Sequence, residues 1–408
     1  MAKIESRGIA SIEFILRWNS SHADHTDCYY AKRVTFWRDI FSRKFYDSFI
    51  GKVEGERFLL SGAVNEIVTS YHADNEFDFE LRHFDTRYGL PVSMGPRFGR
   101  FYPKGILRGL PNVFRGNIEP FRCVGVDATQ MRVDFNHPLS QKPVQLFAGI
   151  DSVDKKSGDV GGSCTDWMEV ISNGPGMQAR SKGKATDFFS DSPFKRADEN
   201  DDSVFYSAPR LLTHTDDEAL GIIRGIYGSL LKDGMRVLDL MSSWRSHIPE
   251  NIVLQSLIGL GLNREEMEDN KQLSDFVIHD LNRDYRLPFQ DHTFDLVICT
   301  VSVEYLTQPF RVFEEVARVL IPGGIFVAAF SNRWFPPKTI HIWTELHEFE
   351  RVGLVLEYFL RSGKFGNIST YSMRGRPRPL HDKHFVETQI ADPVYAVWGR
   401  TSSESIRE

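Results

Sequence analysis

The sequence is poor in cysteine, with four in 408 residues, and Cys28, Cys123, Cys164 and Cys299 lie far apart along it. Without paired spacing they make neither a zinc-site pattern nor the dense framework of a small secreted scaffold, so they read as reduced, inert thiols. Positive charge is not in excess either: 49 Lys and Arg against 55 Asp and Glu leave a net charge of -6. That balance argues against a broad phosphate-binding surface and for no strong nucleic-acid signal, although a local basic patch is compatible with it. No apolar run approaches the length that crosses a bilayer. The stretch from Ile9 to Trp18 is broken by Glu13 and Arg17 and is followed by no small-residue cleavage site, so a cytoplasmic, membrane-free protein is expected. Internal repeats and low-complexity tracts are absent. His381 and His384 stand three apart in a Pro- and Arg-rich loop with no further ligand cluster, and no metal site is expected there.

What is present is the composition of a globular protein, 41% hydrophobic and 25% charged. A chain of this length exceeds what one core usually organises, so two domains are expected. The first 155 residues are β-rich. Ser11 to Trp18 alternates polar and apolar, Met131 to Val153 gives two more such runs around a Pro-containing turn, and between them Arg38 to Ile50 has helical spacing of Ile40, Phe41, Phe45 and Phe49. The pattern predicts an antiparallel sheet with a helix. Residues 156–205 are rich in Gly, Ser and Asp and read as a connector, with Trp167, Phe188, Phe189 and Phe194 too aromatic for a wholly mobile linker.

From residue 206 to 408 the pattern becomes strands alternating with helices, which predicts an α/β doubly wound parallel sheet. Strands are expected at Met235 to Met241, Leu254 to Gly259, Phe276 to His279, Phe294 to Val301, Ile325 to Phe330, Ile368 to Arg374 and Val394 to Arg400. Helices are expected at Ala219 to Leu231, Arg264 to Lys271, Pro309 to Leu320, Lys338 to Leu346 and Glu350 to Leu360. Ligands of such sheets sit at the carboxyl ends of the strands near the reversal of strand order. The candidate site residues are therefore those just after each strand.

The ordered series RVLDLMSSW, DLNRDYRLPFQDHTFDLVICTVSVEYL and EVARVLIPGGIFVAAFSNRWFP resembles the successive motifs of class I S-adenosylmethionine (SAM) methyltransferases. A glycine-poor branch with the pattern VLDL-x-SSW is the nearest form. The resemblance covers residues 206–400 and implies a Rossmann-like fold and SAM as cofactor. It implies cofactor contacts from Asp239, Ser242, Ser243, Trp244, Asn263, Asp280, Leu281 and Ser302, with Asp239 at the methionine amino group and Asp280 and Leu281 at the adenine. Two positions depart from the usual pattern. Met241 to Trp244 stand where glycines commonly make the turn, and Asn263 stands where an acidic residue commonly holds the ribose. Asn263 is equally well placed to cap the helix that starts at Arg264.

On the acceptor side the candidates are Glu304, Tyr305, Asn332 and Arg333, each with a plainer alternative: a solvated acid, or an Arg paired with a nearby carboxylate. Trp244 and Trp334 are core aromatics by default, or a wall over the sulfonium.

The segment VDFNHPLSQKPVQLFAGIDSV, Val133 to Val153, resembles the last hairpin of FKBP-type prolyl isomerases of the SlyD type. Upstream, Ile40 to Leu60 with GKVEGERFLL looks like the helix and following strand of that fold. The likeness covers Ser11 to Val153 and implies an α+β FKBP-like N-terminal domain that binds polypeptide, while Arg38 and Asp39 stand where the family has an apolar approach to the helix. Asn136, His137 and Pro138 are read as a tight turn between two strands. The expectation is a SAM-dependent methyltransferase of unknown acceptor with an FKBP-like domain that presents a polypeptide. The alternative is an FKBP-like chaperone or isomerase fused to a non-catalytic methyltransferase-like module.

Overall fold

Period-two burial sets up the first hairpin: Ala10, Ile12, Phe14, Leu16 and Trp18 of β1 (Ile9–Asn19) are all buried, while the residues between them are not. The structure is a computed structural model that describes residues 2–89, 94–109, 113–154 and 162–402. β1 pairs antiparallel with β2 (Asp24–Thr35) and with β8 (Val144–Asp154). Helix α1 (Arg43–Phe49) buries Phe45 and Phe49 and starts where Ser42 accepts a hydrogen bond from Phe45 N. Ile40, expected on its apolar face, precedes this cap and is 52% exposed, because its backbone is used to bridge Thr165.

After β3 (Arg57–Ser61) the chain leaves the sheet. β4 (Glu76–Glu80), β5 (Phe101–Pro103), β6 (Pro120–Val126) and β7 (Gln130–Asp134) form a separate sheet in the order β4-β7-β6-β5, over a small core that includes Phe84, Tyr102, Phe121 and Val133. The expected final hairpin is thereby corrected. β7 pairs with β4 and β6, and β8 pairs with β1 and β3, so the residues between β7 and β8 carry the chain from one sheet to another. Asn136 serves that crossing: Oδ1 accepts from His72 N at 2.9 Å and Nδ2 donates to His72 O at 2.9 Å.

The connector packs onto both halves, apart from residues 156–161, which lie outside the described residues. In α2 (Trp167–Ser172), Trp167 is buried with its ring centroid 6.4 Å from Phe14 and 6.2 Å from Tyr29. Its Nε1 donates to Asp39 Oδ2 at 2.8 Å. Phe188 is buried in the C-terminal core, and Phe189 and Phe194 pack on Phe310.

The second half runs α3 (Asp202–Phe205), α4 (Asp217–Leu230), β9 (Arg236–Leu240), β10 (Ser256–Gly261), α5 (Arg264–Asp269), β11 (Asp275–Ile278) and β12 (Phe294–Thr300). It continues with α6 (Pro309–Val319), β13 (Leu320–Ser331), α7 (His341–Glu345), α8 (Glu348–Ser362), β14 (Phe365–Arg374) and β15 (Val394–Thr401). Two expectations shift. β10 starts at Ser256, and α7 is shorter than the run from Lys338 to Leu346, because Pro336 and Pro337 precede it and the buried Lys338 ammonium is held by Asp198 and Asp202, each at 3.1 Å.

The strands β9 to β15 stand in the order β11-β10-β9-β12-β13-β15-β14, with β15 antiparallel to its neighbours and β9 to β13 mutually parallel. The sheet does not end there. β14 pairs in parallel with β2, so an 11-stranded sheet runs unbroken through β2, β1, β8 and β3. At this seam Asp27 is buried, accepting from Trp18 Nε1 at 2.8 Å, Ser372 Oγ at 2.7 Å and Gln178 Nε2 at 3.1 Å. A second tie is Arg100, wholly buried, whose Nε donates to Glu350 Oε1 at 3.1 Å. Among the described residues no helix is long and apolar enough to cross a membrane.

Candidate active site

Strand order reverses between β9 and β12, and a crevice opens beyond the carboxyl ends of these strands, as it does in open α/β sheets generally. Asp239, 2% exposed, forms its floor near the end of β9. Its Oδ2 accepts from Ser242 Oγ and from Ser246 Oγ, both at 2.6 Å. Burial pushes the Asp239 carboxyl up to about 6, against the pull of those two hydroxyls.

The turn after β9 is sharp although it has no glycine. Met241 takes φ +58°, the left-handed conformation that glycine adopts at no steric cost. The close approach is supplied by the neighbouring strand: a Cβ on Gly261 would lie 2.3 Å from Ser242 O, and Ser242 N donates to Leu260 O at 2.7 Å. Val301, after β12, is also left-handed at φ +47°. Such a conformation in a β-branched residue stores about 1–3 kcal/mol of strain and is typical of functional sites.

Nine of the twelve sequence-derived candidates line this one crevice: Asp239, Ser242, Ser243, Trp244, Asn263, Asp280, Leu281, Ser302 and Tyr305. Ser243 Oγ donates to Glu266 Oε2 at 2.6 Å, Asp280 Oδ1 accepts from Asn282 N at 2.9 Å, and Ser302 Oγ donates to Thr300 O at 2.8 Å. Trp244 is half-buried, with the Arg245 guanidinium 4.1 Å from its ring centroid. Asn263 is the N-cap of α5. Its Oδ1 accepts from Glu266 N at 3.0 Å and its Nδ2 donates to Tyr206 O at 2.9 Å and Ser207 O at 3.3 Å. One acceptor lone pair is all that this amide retains for a ribose.

Glu304, Asn332 and Arg333 are not in the crevice lining. Glu304 is fully buried behind it, its oxygens unpartnered and its carboxyl pushed up to about 8 by burial, an effect that Arg351 opposes. Asn332 donates to Glu348 Oε2 at 2.6 Å and accepts from Arg351 Nη1 at 2.9 Å, and Arg333 pairs with Asp392 at 3.0 Å. Trp334 packs on the core with the Arg351 guanidinium 4.3 Å from its ring centroid. His381 and His384 are taken by Asp217 and Glu387, each at 2.9 Å.

Sequence reasoning missed the roof. Residues 206–216, without regular structure, bring Tyr206, Arg210 and His214 over the crevice opposite Phe335, and Glu266 holds this strap by accepting from Arg210 N at 2.7 Å. Glu266 had a legible signal as the third helical residue after an Asn cap. The strap had none. Two of the crevice imidazoles are held in their uncharged form near neutral pH: burial and the nearby Arg210 lower His214, and burial, Arg224 and Arg245 lower His247 to about 4.

This strand order with a crevice at the switch point defines an α/β domain of methyltransferase topology. Residues 254–328 match the family described as Methyltransferase domain. The chain is 25% identical over 209 residues to the ubiquinone/menaquinone biosynthesis C-methyltransferase UbiE of Laribacter hongkongensis (strain HLHK9), which covers 45% of this chain and 82% of that protein. It is 33% identical over 67 residues to the malonyl-[acyl-carrier protein] O-methyltransferase of Marinomonas sp. (strain MWYL1), covering 16% of this chain and 25% of that one. Among solved structures, the complex between the Haloferax volcanii Trm112 methyltransferase activator and a methyltransferase contains a chain matched at 17% identity and a TM-score of 0.34, over 46% of this chain and 92% of that one. The C-terminal half is a methyltransferase-type domain whose cofactor is SAM.

The residues present fit that cofactor. Asp239 is a buried carboxylate at the crevice floor that lacks a cationic partner among the described residues, which suits an ammonium group, and Leu281 with the turn at Asp280 offers an apolar edge beside hydrogen-bonding backbone.

Proposed function

We propose that the chain is a SAM-dependent methyltransferase, its cofactor lying across the carboxyl ends of β9, β10, β11 and β12. The observation that carries this reading is the convergence of residues from four separate strand ends on one crevice floored by Asp239. When bound, SAM supplies a methyl group already activated by its sulfonium. The protein's own task is chiefly alignment. Asp239 fixes the methionine amino group, Trp244 and the 206–216 strap exclude water, and Tyr305 and Phe335 bound the space beyond. Phe335, opposite the strap, is itself fixed by its N donating to Tyr305 Oη at 2.9 Å. His214, neutral near pH 7, is placed to take the proton of a neutral acceptor.

The test is calorimetric titration of the full chain with SAM and S-adenosylhomocysteine. Saturable binding that Asp239→Asn abolishes, with unchanged circular dichroism, supports the reading; unchanged affinity in that variant refutes it.

The N-terminal half we read as an FKBP-like module that recruits a polypeptide in the cytoplasm. What supports this is the sequence likeness over Ser11 to Val153, together with the antiparallel sheet on which α1 packs. Isomerase activity is disfavoured, because Trp167 fills the aromatic cluster beside α1 and is anchored there by Asp39. The second reading, a non-catalytic binding module, has in its favour the bulk of Trp244 where a glycine turn is usual.

A further inference from the structure

The crevice wall contains a cation without an anion. Arg210 lies on the strap, and its guanidinium carbon is 4.4 Å from the ring centroid of Phe205, 5.3 Å from Tyr206 and 4.9 Å from Phe335. Aromatic faces attract and orient a guanidinium without neutralising it. One η nitrogen donates to Phe205 O at 3.0 Å. The other, Nη1, is buried and has no hydrogen-bond partner, and no carboxylate among the described residues is within ion-pair distance of this side chain. Two acids of the crevice lining are already committed: Glu266 accepts from Arg210 N and Ser243 Oγ, and Asp202 is held by Arg196, Lys338 and Asn282.

A buried donor left unmade costs about 1–3 kcal/mol, and more when it is charged. An arginine held in this way on a pocket wall is a preorganised oxyanion site. Its surroundings describe the rest of the ligand. Tyr305 and Phe335 present nearly parallel rings, 29° apart with centroids 6.1 Å from one another, and the His214 ring stands 4.7 Å from Phe335. This is a wall for a flat apolar body.

We propose that the methyl acceptor is a small planar molecule bearing a carboxylate, which the Arg210 guanidinium on the crevice wall binds while its ring lies along Phe335 and Tyr305. The proposal rests on the methyltransferase reading for the word acceptor, but the anion site itself does not require it. The uncompensated charge of the guanidinium selects a carboxylate over the isosteric amide, whose oxygen accepts a hydrogen bond but carries no charge.

The experiment is calorimetric titration of the full chain with benzoate and with benzamide, in the presence and absence of saturating S-adenosylhomocysteine. Saturable binding of benzoate but not of benzamide is expected. Arg210→Gln should weaken benzoate by about tenfold or more, the range expected of a buried charge-assisted contact, and Arg210→Lys should retain part of it. Equal binding of the two probes, no saturable benzoate binding to the unsubstituted chain, or wild-type benzoate affinity in Arg210→Gln overturns the proposal. The comparison of probes on the unsubstituted chain needs no variant to fold. If S-adenosylhomocysteine fails to bind while benzoate still binds through Arg210, the methyltransferase reading fails and the anion site stands; the converse result retains the former and removes the latter.

Discussion

Replacing Asn263 by Asp separates the residue's two sequence-level roles. Asp caps a helix about as well as Asn and its charge suits a helix N-terminus, so the hydrogen bond to Glu266 N survives. What disappears is the NH2 group that donates to Tyr206 O at 2.9 Å and Ser207 O at 3.3 Å. The shorter of these contributes about 0.5–1.5 kcal/mol, and the new carboxylate would face carbonyl oxygens, with Glu266 already beside it. Ser207 is exposed and its carbonyl recovers water, so the net destabilisation expected is about 1–3 kcal/mol. Because the lost bonds tie down the roof over the crevice, affinity for S-adenosylhomocysteine should fall several-fold with it, roughly tenfold per 1.4 kcal/mol. Urea unfolding and calorimetry on the same preparation read both quantities. Asn263→Ser, which caps but donates nothing to the strap, should reproduce the loss without the charge. If Asn263→Asp unfolds at the same urea concentration as the unsubstituted chain and binds the cofactor more tightly, the residue meets the ribose and the reasoning is wrong.

Glu304 makes a pH prediction: its carboxyl is raised to about 8 from 4.5 by burial, so the native state holds a proton that the unfolded state releases, and stability falls as pH rises from about 4.5 to about 8. Glu304→Gln should flatten that slope and raise stability at pH 7 by roughly 3 kcal/mol, the linkage value of the shift up to that pH; an unchanged slope in urea titrations across this range would show that Glu304 is solvated. Asp239 is raised to about 6, and since only its ionised form attracts an ammonium, cofactor affinity should rise with pH through about 6 and level off above it. A flat profile between pH 5 and 7.5 would place the ammonium elsewhere. The fragment 1–155 lacks Trp167 and exposes the β2 edge that pairs with β14, so it should be aggregation-prone and lose the cooperative unfolding of the full chain; a monomeric fragment with a sharp transition would refute the importance of the seam.

Local order was well written in the sequence. Alternation of apolar residues located β1 and β8, the i, i+3, i+4 pattern located α4, α6 and α8, and the short apolar runs bounded by turns located β9 to β13. Because ligands of parallel sheets gather where strand order reverses, the residues after each strand also gave most of the crevice lining. The acceptor-side candidates fared less well. Asn332 and Arg333 have partners on α8 and near β15, and which carboxylate an arginine meets is settled by packing between elements distant in sequence.

Tertiary structure alone decided the rest. The chain's own residues predicted an antiparallel zone and a parallel zone, but joining them through β2 and β14 is backbone pairing, in which side-chain periodicity has no part. Asn136 to Pro138 carried the chemistry of a turn, yet the same residues serve a crossing between sheets, because turn propensity says nothing about where the following strand finds its partner. The missing glycine after β9 was visible. Its compensation, Met241 held left-handed and Gly261 on the adjacent strand leaving room for Ser242 O, required both strands to be set side by side. The roof formed by residues 206–216 has no period to read, since it is held by Asn263 and Glu266 rather than by its own pattern. Local pattern determines what a segment can bury; only the assembled chain determines which groups, the Arg210 guanidinium foremost, stand on the crevice wall without a counter-ion.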